Sequence, residues 1–142
     1  MTPAWLREAH RRFGNRSEVF RFVDSPFSLW ANLRDLFRAS YAPPRAEADI
    51  RAIYEYADWS YRQPRGKSAE DDLLTVVAVA FYEHLPEVEA AVRDLPRWLT
   101  LDEVVGMRDI LSHHAGEEGF RRILEAYPKS CRAGAGRRPR RK

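Results

Sequence analysis

Cysteine is all but missing from this chain. Cys131 is the only one, so no internal disulfide can form and a disulfide-stapled secreted scaffold is excluded. Long apolar runs are missing too, since none reaches the roughly 18 uncharged residues of a membrane span. The opening residues, Met-Thr-Pro-Ala-Trp-Leu-Arg-Glu-Ala-His-Arg-Arg, place charges where a signal peptide needs an apolar core. The expectation is a soluble cytoplasmic protein with no membrane partner. Lysine is scarce: Lys67, Lys129 and Lys142 stand against 21 arginines. Such usage fits a GC-rich bacterial genome, which weakens arginine content as a sign of nucleic-acid binding. Also absent are a Gly-rich phosphate loop, a nucleophile elbow and the His-Glu-x-x-His zinc pattern. No cofactor and no metal are therefore expected, and the reading leans away from an enzyme.

What is present suits a small helical domain. The 142 residues are 44% hydrophobic and include 17 aromatics, enough for one core. The net charge of +3 is unevenly placed. From Lys129 onward there are seven basic residues and no acidic one, so residues 1–128 hold 17 basic against 21 acidic residues, a formal charge of −4. The segment 130–142 has no aromatic or branched aliphatic residue. It cannot bury enough apolar surface to offset the entropy of ordering, so 129–142 is expected to be a disordered basic tail.

Periodicity predicts helices along the body. Trp5, Leu6, Ala9 and Phe13 share a face of the first, which Gly14-Asn15 should end through a left-handed turn. Ser17 to Val23 fits either a short helix or an extended segment. Ser25-Pro26 reads as an N-cap with proline at the first helical position, and Pro43 and Pro44 stop that helix near Tyr41. A third helix over about 45–62 carries Ile50, Ile53, Tyr54, Ala57 and Tyr61. The near-continuous apolar run from Leu73 to Leu85 predicts a central helix buried on every side, with Ser68 as its cap and Asp71 at the capping-box position. A short helix follows around Val88–Leu95. Another starts at a Thr100-x-x-Glu103 capping box and carries Val104, Met107, Leu111 and His114 on one side up to Gly116, and a last helix runs from there to Pro128. The fold class expected is all-α: one compact bundle of six or seven helices over 1–128.

Three groups of residues are candidates for function. Glu83, His84, His114 and Glu117 could form an acid–histidine cluster if His84 meets the later segment in space. Adjacent helical positions point roughly 100 degrees apart, so His113 and His114 are not expected to share one ion. Nor does Cys131 complete a zinc set from a disordered tail. Tyr56 and Trp59 lie off the apolar stripe of their helix and are expected to be partly exposed; with Arg62, Arg97 and Trp98 they are of the residue types enriched at interface hot spots. In the tail, Arg137, Arg138, Arg140, Arg141 and Lys142 could contact phosphates weakly and without sequence preference.

The stretch Ala80-Phe-Tyr-Glu-His-Leu-Pro86, with Leu95-Pro-Arg-Trp98 downstream, resembles small bacterial all-helical domains of unknown function. The resemblance implies a helical fold over the middle third to half of the chain and brings no catalytic residues with it. The leading expectation is a non-enzymatic interaction domain that binds a protein partner or itself. The alternatives are a small metal-binding protein or hydrolase using the acid–histidine cluster, and an accessory polyanion binder acting through the tail.

Overall fold

A computed structural model describes residues 2–14, 16–68 and 71–128. The expectations for 129–142, including the polyanion-binding residues from Arg137 to Lys142, lie outside the described residues. The fold is all-α, with seven α-helices and no strand among the described residues. The chain forms two compact units, the first ending at Phe81 and the second beginning at Tyr82.

The first unit holds α1 (Ala4–Phe13), α2 (Pro26–Tyr41), α3 (Glu47–Tyr61) and α4 (Leu73–Ala80). Ser25 caps α2 in a reciprocal box with Ser28, and Pro26 occupies its first turn, as the sequence requires. Gly14 follows α1 in a right-handed conformation, so the left-handed ending expected there is not needed. Residues Ser17–Phe20 form a 3-10 turn, while Arg21–Val23 beyond it is neither helix nor strand, so the ambiguous stretch is split between the two expectations. The core is aromatic. Phe13 and Trp30 are buried against Tyr56, and Phe81 stacks on Trp30 with ring centroids 5.0 Å apart. Phe37 meets Tyr41, Tyr54 and Phe81 edge-on, an arrangement worth about 0.5–1.5 kcal/mol per pair beyond area burial.

The predicted central helix is shorter than its apolar run. It stops at Ala80, and Tyr82–Glu87 winds as a 3-10 segment that contains Pro86. Proline removes an N–H and its ring clashes with the carbonyl four residues back, so an α-helical turn cannot run on through position 86. The helix is also not enclosed all round, because Val79 is 41% exposed while Val76, Val77 and Ala78 are buried. Its N-cap is Asp72, not Ser68. Ser68 instead closes a turn upstream, accepting the Asp71 N–H. Asp72 accepts hydrogen bonds from Arg65 and from the Thr75 hydroxyl at 2.8 Å each. Gly66 allows the turn to fold back: a Cβ there would lie 2.4 Å from the Asp71 carbonyl.

The second unit holds the 3-10 segment Tyr82–Glu87, α5 (Glu89–Asp94), α6 (Leu101–Gly106) and α7 (Arg108–Glu125). Thr100 and Glu103 form the expected capping box at the start of α6. Gly116 interrupts α7 with φ +71° and ψ −177°, an extended positive-φ geometry that essentially glycine alone adopts. Leu111, Phe120 and Ile123 bury the inner side of both halves of α7, and the Tyr127 hydroxyl donates to the Leu99 carbonyl at 2.8 Å. Burial pushes the Tyr127 phenol well above its ordinary range.

Candidate functional site

The 3-10 geometry of Tyr82–Glu87 sets the first wall of the site. In such a helix residues i and i+3 eclipse one another. Glu83 therefore stands over Pro86, and His84 over Glu87. The second pair is hydrogen-bonded, His84 Nδ1 to Glu87 Oε2, at 2.7 Å. The second wall is the end of the first half of α7. The break at Gly116 makes His113 and His114 part of a helical last turn, where the dipole favours positive charge.

These walls converge. The Oε1 atom of Glu83 is 3.2 Å from His114 Nε2 and 4.0 Å from His113 Nε2. His84 stacks on His114 with ring centroids 4.8 Å apart and planes at 26°. The structure thus brings Glu83, His84 and His114 together, as the cluster requires. It also adds His113, whose ring meets that of His114 edge-on at 4.7 Å. Adjacent helical side chains leave the axis roughly 100 degrees apart, yet one Glu83 oxygen lies within 4.0 Å of both Nε2 atoms. Glu117 does not join them, because its carboxylate pairs with Arg108 at 2.5 Å. His114 is exposed rather than continuing the core stripe of Leu111. Glu83 and His114 also line a cavity of 330 Å³, whose apolar side is Pro86, Val92, Ala115 and Gly119.

The aromatic–arginine residues divide differently. Tyr56 was expected to be partly exposed and is 1% exposed, with its hydroxyl donating to the Trp5 carbonyl at 2.9 Å. The reason is that α3 packs against α1 as well as α2 and α4, so it buries more than one stripe. Trp59 stacks on Tyr56 at 5.8 Å and is half-buried. Arg62 is exposed and pairs with Asp58 at 2.9 Å. In the second unit, Arg97 lies over the Trp98 ring, and both donate to the Asp94 carboxylate at 3.0 Å.

One exposed feature has no counterpart in the sequence reading. Phe22, in the turn between Phe20 and Ser25, has φ +58° and is 90% exposed. It is the positive-φ non-glycine residue of the described chain, and also its most exposed large apolar side chain. The Asn32 side-chain amide donates to the carbonyls of Val19 and Arg21 at 2.9 Å each and fixes the turn from α2. Phenylalanine carries no preference for this conformation, so no local signal announces it.

No protein-family model, curated protein or solved structure matches the chain.

Proposed function

We propose that this chain is a non-enzymatic protein-interaction module that docks on another protein through Phe22. The observation that carries the reading is the coincidence, at one residue, of a left-handed backbone and a nearly fully exposed aromatic ring. Left-handed geometry at a bulky residue costs about 1–2 kcal/mol and persists where surrounding structure over-determines it, often at binding sites. Here Asn32 supplies that constraint. A rigid, pre-formed aromatic anchor loses little entropy on binding. The exposed Arg21 beside it favours an apolar pocket with an acidic rim on the partner. The scarcity of cysteine and the arginine-rich composition support a bacterial cytoplasmic setting.

The test is photo-crosslinking from position 22. With p-benzoylphenylalanine there, the full chain should form a discrete adduct with another protein. Excess wild-type chain should compete it away, and excess Phe22→Gly chain should not. Phe22→Gly should melt at or above the wild-type temperature, because glycine removes the left-handed penalty. An adduct only to a second copy of the chain would replace the foreign partner with self-association. No competed adduct, or equal competition by Phe22→Gly, would overturn the assignment of Phe22 as the anchor.

A further inference from the structure

We infer that Glu83, His113 and His114 form a binding site for a zinc-class divalent cation, a property separate from the Phe22 surface. One donor atom from each residue lies within 4.8 Å of the other two. Two ligands on a tetrahedral zinc, each about 2.0–2.1 Å from it, are about 3.3 Å apart. The Glu83–His114 separation of 3.2 Å already has this value. The widest separation in the set is 4.8 Å, so the donors must close by about 1.5 Å to share one ion, and His113 and His114 are exposed side chains with room to make that shift.

The surroundings favour a cation over a plain ion pair. The two histidines occupy the last turn before the Gly116 break, where unsatisfied carbonyls give the helix its negative end. Glu83, by contrast, is 13% exposed in its side chain, so the carboxylate is held in place by the 3-10 segment and the histidines close on it. His84 stands beside this set. Its Nδ1 is engaged by Glu87 and its ring lies on His114, so it is a positioning residue that holds the His114 imidazole plane. An ion held by two imidazoles and one carboxylate keeps a coordination position for water. Because Glu83 and His114 also line the 330 Å³ cavity, a small molecule entering that cavity would reach the ion. Imidazole donors select zinc, cobalt, nickel and copper over magnesium and calcium, which prefer all-oxygen sets.

The experiment is calorimetric titration of the full chain, freed of metal by chelation, with zinc chloride. One zinc per chain is expected. Glu83→Gln, His113→Ala and His114→Ala should each weaken binding tenfold or more, while His10→Ala in α1 should not change it. Millimolar magnesium should not compete. Cobalt loading should give the intense visible absorption of a four-coordinate ion, reduced in His114→Ala. His113 and His114 are exposed and Glu83→Gln keeps the side chain's shape, and a thermal melt confirms that each variant is folded; if an alanine variant does not fold, His114→Gln takes its place. Absence of zinc binding by the wild type overturns the site. So does undiminished binding by the folded His113→Ala/His114→Ala double variant, which would move the zinc elsewhere in the chain.

Discussion

The indole N–H of Trp98 donates to the carboxylate of Asp94 at 3.0 Å. Asp94 is buried and also receives Arg97, so Trp98 and Arg97 are tied into the second unit by one acid. Their expected role as binding hot spots has a local structural counterpart. Asp94→Ala removes the acceptor and leaves a half-buried indole N–H without it, which should destabilise by about 1–3 kcal/mol. Denaturant unfolding of Asp94→Ala, Trp98→Phe and the double variant measures this. A double variant no worse than Asp94→Ala alone would show that the two residues act as one unit.

Arg65 sets an acid-side limit on the first unit. Its hydrogen bond to Asp72 holds that carboxyl below the ordinary value of 3.8, with Thr75 adding to the effect. A carboxylate lowered in the folded state stabilises that state above the unfolded value, and the contribution is lost as pH falls through the folded value. Arg65→Ala should therefore melt lower than wild type at neutral pH. The gap should close as pH drops below 3.8, where both proteins approach a protonated Asp72. Melting temperatures measured from pH 7 to pH 2.5 decide it, and a gap constant over that range would assign Arg65 no role through Asp72.

Val77 tests α4. It is completely buried, and Val77→Asp places an unpaired carboxylate there, a change of the kind that costs about 4 kcal/mol or more. Loss of the cooperative circular-dichroism transition is expected. Val79→Lys, about 200 degrees round the helix at an exposed position in the last turn, should shift the melt far less.

The seven basic residues of 129–142, set against a body of charge −4, predict a salt-sensitive affinity for polyanions. Truncation after Pro128 should abolish binding to a DNA duplex at low salt. The full chain should lose most of its binding near physiological ionic strength, where screening acts over about 8 Å. Equal binding by the truncated chain would assign the affinity to the body instead.

The parts of this fold that the sequence declares are those with local causes. Ser25-Pro26, the Thr100–Glu103 box and the Pro43 stop each depend on residues within one turn, and each stands where the periodicity placed it. The errors are tertiary or geometric. The run from Leu73 to Leu85 is uniformly apolar, so its pattern could not show the change to 3-10 winding before Pro86. Tyr56 lies off the main stripe of α3, and its burial depends on α1 packing on a further side. The convergence of His113 and His114 depends on where Glu83 arrives from a segment some thirty residues earlier in the chain, which helical spacing alone does not encode. Phe22 left no mark, because its conformation is imposed by Asn32 from α2 and by the turn, not by its own preference.

Gly116 has a consequence for how this chain can vary. With φ +71° and ψ −177° the position lies in a region that essentially glycine alone occupies. Asparagine and aspartate, which tolerate the left-handed helical turn, gain nothing from that tolerance here. Drift at this position is therefore closed to every other side chain: any replacement would press the two half-helices toward one straight rod and carry the histidine pair away from Glu83.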